Sequence, residues 1–561
     1  MKMSKLFTVM VICFIPFIIF YTYRGLFQTF FQQDEWLTFG YVLAGGIIAN
    51  ISQNSIVQLF AGTNRIFGSV INNMVYKYFP FRMDILVWFS LVVHTLNTFL
   101  WYAVVLAVTK KRLIAFTSAL FFAMNVTASQ SVSWFASIFT TLPAAMFIFI
   151  SILFFKRYID TRKLRFLLFT QVFSIVAYFF KESSIFLFFL YPMLIVFWKK
   201  RQFSYLDTAK YFFVFILYAC FAIFFRVNSI RGLGASAGVY VSNSSFMWQK
   251  VVMHAFFYPI FSLPQIFIPQ QIMFKIADWF QKINYGGIQG LLTTQLGVES
   301  IVSDFISFVI AVAMLCGIYI IGKKQKNLRT PLYLALLFTV MSFLPFVILD
   351  KGNAYLDSRY FYIGSAGGSC VFALLLSGII TFFRKSHRFV YWFVIVIMSI
   401  FGAGYIYKSY QFITRDIQTM VLVSRERKNI LSQLQTMYSQ IPENPVFYVT
   451  GNHYGYYGLP EVKVPFQQGF GFTLMVRYFK SGKIPPTLLR EAFLWRIQDQ
   501  GYREVDQKGF GYYYDLNVLK KQVDDGIIVS SQVIGLYYDT DTKKLFDITV
   551  ETRKKLEQLP E

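Results

Sequence analysis

Apolar stretches without a charged residue recur through the first 400 positions of the chain. The longest, residues 113–155, contains no Asp, Glu, Lys or Arg, but the polar run Asn125-Val-Thr-Ala-Ser-Gln-Ser131 interrupts it. A helix of about 20 apolar residues crosses the hydrocarbon core of a bilayer. This stretch therefore predicts two membrane-spanning helices joined by a tight turn.

The same criterion predicts about eleven membrane spans. They lie near residues 5–22, 84–108, 113–126, 134–155, 166–180, 184–198, 208–226, 300–321, 331–349, 361–383 and 389–407. No small-residue cleavage pattern follows the first span, so we interpret it as an anchor and not as a signal peptide. The predicted fold is a polytopic α-helical membrane protein.

The loops between these spans differ sharply in positive charge. Short loops dense in Lys and Arg lie at 110–112, 156–165, 199–201, 323–329 and 384–388. The alternate segments, poor in basic residues, lie at 23–83, 127–133, 181–183, 227–299 and 350–360. Because cytoplasmic loops carry the excess of Lys and Arg, the pattern predicts a cytoplasmic N-terminus and an extracytoplasmic C-terminus. The abundance of Phe, Lys and Ile favours a prokaryotic plasma membrane.

Two long outer loops belong to the predicted membrane domain, residues 1–407. In the loop 23–83, the apolar patches 41–49 and 66–78 are typical of helices that lie in the membrane interface. The loop 227–299 contains an aromatic stretch with three prolines, which predicts a re-entrant or interfacial element because proline breaks a regular span.

The remainder of the chain has the character of a soluble protein. Residues 408–441 predict a polar connecting helix, and residues 442–561 predict a small α/β domain on the outer face. Strand-like runs lie at 445–450, 526–530, 534–538 and 545–550, and a helix is expected over 486–499. Asp539-Thr-Asp541 has the form of a metal-binding motif, but its place between two strand-like runs indicates a hairpin turn.

Composition limits the classes of protein that fit. Hydrophobic residues make up 56% of the chain and charged residues 14%, with a formal net charge of +25. The basic clusters lie at the ends of spans, where they anchor the chain to anionic lipid, and a nucleic-acid partner is not predicted. The four cysteines all lie inside predicted spans and give neither a disulfide framework nor a zinc pattern. His254, His387 and His453 have no potential ligands at suitable spacing, so no metal or cofactor is predicted.

The acidic pair Asp34-Glu35, followed by Trp36, is the strongest local signal for chemistry. It begins about a dozen residues after the first span, on the predicted outer face. Adjacent carboxylates at a bilayer surface can deprotonate a hydroxyl or hold a divalent cation. A helix cap or an interface anchor explains the same residues without function.

Basic residues on the same predicted face form a second group of candidates. Lys181-Glu182-Ser183 lies between two very apolar segments, where a charged pair is costly unless it faces protein or water; a simple outer turn also explains it. Arg359 can bind a phosphate bidentately or anchor the chain at the interface. Arg65 and Lys77, in the first outer loop, are weaker candidates for binding a negatively charged lipid head group.

Two polar residues in the second span share one helix face. His94 and Asn97 are three positions apart and therefore lie on the same side of a helix. A hydrogen-bonded contact between helices is the simpler explanation, and a catalytic pair is the alternative.

Taken in order, these positions resemble the C-type glycosyltransferase (GT-C) superfamily, and within it the protein-mannosyltransferase-like branch. The matching motifs cover roughly residues 1–400 and are Asp34-Glu35, Val93-His94-Thr-Leu-Asn97, Ser133-Trp134-Phe-Ala136, Lys181-Glu182-Ser183 and Arg359-Tyr360-Phe-Tyr362-Ile-Gly-Ser365. The tetratricopeptide repeats of some relatives are absent, and the second acidic motif of metal-dependent oligosaccharyltransferases is not found. A divalent cation is compatible with this pattern but is not required by it.

The resemblance implies a hexosyl- or pentosyltransferase that inverts the anomeric centre. It moves a sugar from a polyprenyl-phosphate donor to an acceptor hydroxyl of a protein, glycan or lipid outside the membrane. Asp34 is then the expected base, and Glu35 is expected to orient the acceptor or a neighbouring cation. The expected phosphate-binding residues are Arg359, Lys181 and Arg65, with Glu182 holding Lys181 in place and with His94, Asn97 and Tyr360 in supporting positions.

Two alternatives come from other classes of protein. A transporter or flippase would move a lipid-linked sugar without chemistry, although no paired internal repeat of the kind seen in many transporters is evident. A non-catalytic scaffold would use the membrane part only to present residues 442–561.

Overall fold

The computed structural model describes most of the chain outside a few internal segments. The described residues are 2–31, 33–43, 65–79, 82–198, 248–269, 295–347, 358–385, 387–452, 499–505 and 507–558, with scattered positions in 215–224, 272–279 and 471–494. They group into two units, one of Met1–Arg24, Ile56–Gly68 and Leu86–Asp416, and one of Gly25–Ser55, Ser69–Ile85 and Ile417–Glu561.

Helices account for most of the described residues. In chain order they are α1 (Lys2–Tyr23), α2 (Gln33–Leu43), α3 (Ile66–Tyr78), α4 (Met83–Thr109), α5 (Arg112–Ala123), α6 (Gln130–Ser133), α7 (Phe135–Thr161), α8 (Leu164–Phe180), α9 (Phe186–Trp198), α10 (Trp248–Gln265), α11 (Gln295–Lys324), α12 (Lys326–Phe343), α13 (Tyr362–Phe382), α14 (Arg388–Met437), α15 (Leu516–Asp524) and α16 (Thr549–Glu557). Short 3-10 turns include Arg24–Gln28, Glu182–Ile185, Leu344–Phe346, Ser358–Phe361 and Ser530–Gln532.

Within the described ranges, seven helical segments are long and apolar enough to cross a membrane. They are Val9–Gln28, Met83–Thr109, Phe135–Thr161, Val302–Lys324, Lys326–Phe346, Ser358–Phe382 and Arg388–Met437. Shorter apolar helices cover Arg112–Ala123, Leu164–Phe180 and Glu182–Ile195. Large apolar side chains such as Phe305, Phe389 and Ile400 are about two-thirds exposed or more on these helices, as a surface in contact with lipid requires. The chain is a multi-pass, mostly helical membrane protein.

These helices coincide with the predicted spans wherever the chain is described. The predicted span 208–226 and the second half of the predicted interfacial helix 41–49 lie largely outside the described residues. The other interfacial prediction, 66–78, is confirmed as a helix, α3. The total of eleven spans stays a prediction.

Small residues allow α12 and α13 to pack closely at the start of α13. A Cβ atom added at Gly364 would lie 2.6 Å from the Phe343 ring of α12, and one added at Gly367 would lie 2.7 Å from the Phe338 ring of the same helix. Membrane helices use such residues because close backbone approach increases van der Waals contact. The packing fixes the N-terminal end of α13, and therefore the position of the turn Ser358–Phe361 before it.

The proline-containing stretch of the second outer loop is helical, and its re-entrant or interfacial placement stays a prediction. Pro259 and Pro264 both lie inside α10. The last carbonyl groups of a helix have no partner within it and need one from elsewhere. At the C-terminal end of α10, Asn125 donates to the carbonyl of Ile266 at 2.8 Å and Thr127 donates to that of Gln265 at 2.8 Å.

The C-terminal region contains a five-stranded mixed sheet. Its strands are β1 (Val446–Gly451), β2 (Gly501–Val505), β3 (Lys508–Tyr513), β4 (Val533–Asp539) and β5 (Lys544–Asp547), in the order β2-β3-β1-β4-β5. The central strand β1 is parallel to β3 and β4, and the two edge strands pair antiparallel.

Alternation along β1 gives the sheet two apolar faces. Phe447 and Val449 pack with Leu434 of α14 on one face, while Val446 packs with Leu519 of α15 and Leu556 of α16 on the other. Side chains of successive strand residues point to opposite faces, so each face needs its own helical cover. An α/β arrangement results. α14 itself is a continuous helix through the predicted last span and the predicted connecting helix.

The sequence-based predictions for this region are partly right. The hairpin at Asp539-Thr-Asp541 is confirmed, since β4 and β5 pair there and the Asp539 carboxylate accepts from the backbone N–H of Asp541 at 2.9 Å. The strand over 526–530 is wrong. Gly526 has a φ of +71°, and the N–H groups of Ile527 and Ile528 donate to the carbonyl of Gln522, so the apolar run closes the end of α15. Of the helix expected over 486–499, the described part includes a 3-10 turn at Ala492–Leu494.

Candidate functional site

Lys181 is a buried cation just beyond the end of α8. Its backbone is extended, between the last residue of α8 and the 3-10 turn Glu182–Ile185. The side chain is 5% exposed, and its Nζ donates to the Thr141 hydroxyl of α7 at 2.6 Å. Burial lowers the pKa of Lys181 to about 7. The positive charges of Arg65 and Arg359 also lower this pKa, and the negative charge of Glu182 raises it by less than the two arginines together lower it. Binding of an anion next to Lys181 would therefore favour its protonated, positively charged form.

Arg65 and Glu182 form a bidentate ion pair. Arg65 donates from Nε to Oε2 at 2.8 Å and from a terminal nitrogen to Oε1 at 2.5 Å. Arg65 precedes α3 with a φ of +56°, a backbone conformation that few L residues adopt. We expected Glu182 to hold Lys181, but in the structure both of its carboxylate oxygens bind Arg65.

Arg359 approaches the same group from the turn Ser358–Phe361. Its backbone N–H donates to Gln130 Oε1 at 3.0 Å and its carbonyl accepts from the Ser131 hydroxyl at 2.8 Å. The guanidinium lies 5.8 Å from the centre of the Trp134 ring and 5.4 Å from that of Tyr360. The Lys181 Nζ lies 5.7 Å from the Tyr360 ring, so Tyr360 contacts both cations.

We call Arg65, Lys181, Glu182, Arg359 and Tyr360 the basic cluster. Its members come from three segments that are distant in the sequence, and all belong to the first unit. Three cations accompany one carboxylate, so the group carries excess positive charge where an anionic oxygen would be stabilised. The arrangement is suited to binding a phosphate.

Sequence reasoning did not assign roles to the residues that hold this cluster in place. Thr141 lies in the middle of an apolar span, and Gln130 lies in a polar turn whose composition indicates only a connection between helices. Trp134 belongs to one of the quoted motifs, which was the one signal available for it.

His94 and Asn97 lie in a separate hydrogen-bonded network inside the helical bundle. The Tyr362 hydroxyl is 2.7 Å from His94 Nδ1, and Asn97 Nδ2 is 3.1 Å from that hydroxyl and 2.9 Å from the carbonyl of Leu142. His94 Nε2 is 3.2 Å from the carbonyl of Ala123. The network ties α4 to α5, α7 and α13, as polar residues between membrane helices commonly do.

Asn97→Ala should lower the free energy of unfolding by about 1–3 kcal/mol, because it leaves buried polar groups without their partner. Thermal unfolding of the purified protein measures the effect. Asn429→Ala is a matched control, since Asn429 makes an exposed hydrogen bond to the carbonyl of Lys543 and should change stability little. An unchanged melting temperature for Asn97→Ala would contradict a structural role.

The acidic pair lies at the start of α2, in the second unit. Asp34 is partly exposed and Glu35 is 1% exposed. The neighbouring Trp36 ring makes edge contacts with Phe30 and Phe31 at 5.9 and 5.3 Å. Asp34 is the member of the pair that a substrate can reach.

In the part of the chain that the structure describes, no group of three or more His, Cys, Asp or Glu side chains is arranged to hold a metal ion.

Comparison with known proteins gives structural similarity only. No family model matches the chain, and no curated protein matches it. It is similar to the apo crystal structure of the Archaeoglobus fulgidus oligosaccharyltransferase, with 12% identity, a TM-score of 0.41, and coverage of 73% of this chain and 56% of that one. The archaeal oligosaccharyltransferase AglB from Archaeoglobus fulgidus, in complex with an inhibitory peptide and a dolichol-phosphate, gives 12% identity, a TM-score of 0.42, and coverage of 74% of this chain and 56% of that one.

A further similarity is to ArnT from Cupriavidus metallidurans bound to undecaprenyl phosphate. The identity is 12%, the TM-score is 0.43, and the coverage is 95% of this chain and 93% of that one. The chain thus spans about half the length of the archaeal oligosaccharyltransferase and nearly all of ArnT. At these identities and TM-scores, function has to be argued from the residues of this chain.

Proposed function

We propose that the protein is a membrane glycosyltransferase that moves a sugar from a polyprenyl-phosphate donor to an acceptor hydroxyl on the outer face of the plasma membrane. The basic cluster is the observation that carries the proposal. A buried lysine and two partly exposed arginines converge from three segments, and a lysine is costly to bury unless a polar or anionic group accompanies it. The ordered motifs that resemble the GT-C superfamily support the same class.

The proposed reaction is a displacement at the anomeric carbon with inversion. Asp34 takes the proton of the acceptor hydroxyl, and the acceptor oxygen forms a bond to that carbon. The bond from the carbon to the phosphate oxygen breaks, and the prenyl phosphate leaves with the electron pair. Because the leaving group is already a stable anion, it needs positive charge and not an acid, and Arg359, Lys181 and Arg65 supply that charge.

The proposed topology places the chemistry on one side of the membrane. Eleven spans with a cytoplasmic N-terminus put Asp34, Lys181, Arg359 and residues 442–561 outside, because the loops rich in Lys and Arg remain inside. The proposed domains are 1–407 for the membrane part, 408–441 for the connecting helix and 442–561 for the extracytoplasmic α/β domain.

A reconstituted transfer assay tests the proposal. The purified chain in liposomes is given undecaprenyl-phosphate-linked hexoses and pentoses that carry a radioactive label, together with cell-envelope extract as the source of acceptor. Label joined to the acceptor through a new glycosidic bond supports a transferase. Movement of labelled lipid between leaflets without a new bond would instead identify a flippase.

Arg359→Ala should weaken donor binding by about 10- to 100-fold, as expected for the loss of a charge-assisted contact. Titration with undecaprenyl phosphate in lipid nanodiscs measures the dissociation constant. Arg82→Ala is the matched control, because Arg82 is exposed and pairs with its neighbour Asp84. An unchanged dissociation constant for Arg359→Ala, with the protein folded, would mean that Arg359 only anchors the chain.

A further inference from the structure

Helix α3 contains buried polar atoms that have no hydrogen-bond partner in the described part of the fold. Asn73 is 3% exposed and Tyr76 is 2% exposed. Among the residues that the structure describes, neither the amide nitrogen nor the amide oxygen of Asn73 has a hydrogen-bond partner, and neither has the Tyr76 hydroxyl. Nearly all buried polar groups in proteins are hydrogen-bonded, since leaving one unpaired costs free energy. These three atoms therefore indicate a ligand.

The unpaired atoms lie beside the acidic pair, within the second unit. Asn73 and Tyr76 are three residues apart on one helix and so share a face. The Tyr76 ring lies 6.1 Å from that of Phe31 and 5.8 Å from that of Phe39, the residues that bracket Asp34-Glu35 in the chain. Burial, followed by the negative charges of Glu35 and Asp34, raises the pKa of Tyr76. The phenol therefore stays protonated and can donate a hydrogen bond.

The chemistry of these atoms selects the kind of ligand. The Asn73 nitrogen needs an acceptor and its oxygen needs a donor, whereas a bare cation would satisfy only oxygen atoms. A hydroxyl group both donates and accepts, so it can pair with either atom of the amide or with the phenol. Two such positions one helical turn apart are suited to two hydroxyl groups of the same ligand.

We propose that Asn73 and Tyr76 bind two hydroxyl groups of a sugar acceptor beside Asp34, and thus are positioning residues of an acceptor site. This inference rests on the proposed function, in which Asp34 removes the proton of the acceptor. It goes further by naming the acceptor as a sugar and not as a serine or threonine side chain, which offers a single hydroxyl.

Binding of simple sugars tests the site without requiring turnover. The full chain in nanodiscs of phosphatidylethanolamine and phosphatidylglycerol is mixed with methyl α-mannopyranoside, methyl β-glucopyranoside and methyl β-galactopyranoside, and binding is followed by saturation-transfer NMR. At least one glycoside should bind, and Tyr76→Phe should weaken it about three- to tenfold, the effect of one lost hydrogen bond. Tyr78→Phe is the matched control, because Tyr78 is on the same helix but 64% exposed.

Tyr76→Phe keeps the ring packed between Phe31 and Phe39, so it should fold. Asn73→Ala is the second variant, and its melting temperature is measured alongside. In the transfer assay, Tyr76→Phe should raise the acceptor Michaelis constant and leave the donor Michaelis constant unchanged. A purely structural role would not separate these two constants.

Three results would overturn the inference: no glycoside binds, glycosides bind Tyr76→Phe and the parent equally, or N-acetylserine methylamide binds and the glycosides do not. If the parent protein binds manganese but no glycoside, and Asn73→Ala abolishes the manganese binding, the site binds a cation and not a sugar. A chain that shows no transfer activity but binds glycosides through Tyr76 would refute the proposed function and leave the sugar-binding site standing. Failure of the proposed function can therefore be told apart from failure of this inference.

Discussion

Replacing Asp34 with Asn should reduce sugar transfer by about 10²–10⁴-fold, the usual contribution of a general base. Asparagine keeps the shape of the side chain and its place in the first turn of α2, but it cannot accept the proton of the acceptor hydroxyl. Because Asp34 is partly exposed, the substitution should leave expression and membrane insertion intact. Initial rates with a labelled undecaprenyl-phosphate sugar measure the effect.

Asp84→Asn is the matched control for this prediction. Asp84 is an acidic residue near the start of α4 whose side chain is 42% exposed and pairs with Arg82, so its loss should not affect transfer. Undecaprenyl phosphate should bind Asp34→Asn as tightly as it binds the parent. If Asp34→Asn transfers sugar at the parental rate, Asp34 is a helix-end residue and the assignment of the base is wrong.

Lys181→Met should weaken donor binding by about 10- to 100-fold at pH 6.5, and the parent should lose affinity as the pH rises. In the free protein the pKa of Lys181 is about 7, chiefly because the side chain is buried. A bound phosphate raises that pKa by favouring the charged form. Below pH 7 Lys181 is charged in both states and affinity is constant, whereas above pH 7 the free protein must take up a proton on binding.

The affinity for the donor is predicted to fall by at most tenfold per pH unit above pH 7. The fall ends at the pKa that Lys181 has in the donor-bound protein. An undecaprenyl-phosphate-linked sugar is the ligand of choice, because a phosphodiester does not titrate in this range. Lys181→Arg should abolish the decline, since arginine stays charged, and Lys110→Met should leave affinity unchanged because Lys110 is exposed and lies in a predicted inner loop. A pH-independent dissociation constant in the parent would show that Lys181 does not contact the phosphate.

The membrane class could be predicted because each span is a local property of about 20 consecutive residues. The helices therefore appear where apolar runs predict them, and α3 appears where the outer loop becomes apolar. The strand prediction for 526–530 failed because the conformation of a short apolar run depends on the residues that pack around it. The run 526–530 has strand-like composition, but Gly526 and the packing of Ile528 turn it into the end of α15.

The candidate residues were recognised by type and order, but their partners were not. Glu182 was expected to hold Lys181 because the two are adjacent, and the fold instead joins Glu182 to Arg65, 117 positions away. Tyr76 and Asn73 looked like ordinary residues of an interfacial helix, and only their burial without partners singles them out. Sequence by itself determined which segments are apolar and which residues carry charge, since both follow from local composition. The tertiary structure decided which charges meet, because contacts between residues more than 100 positions apart depend on how the helices pack.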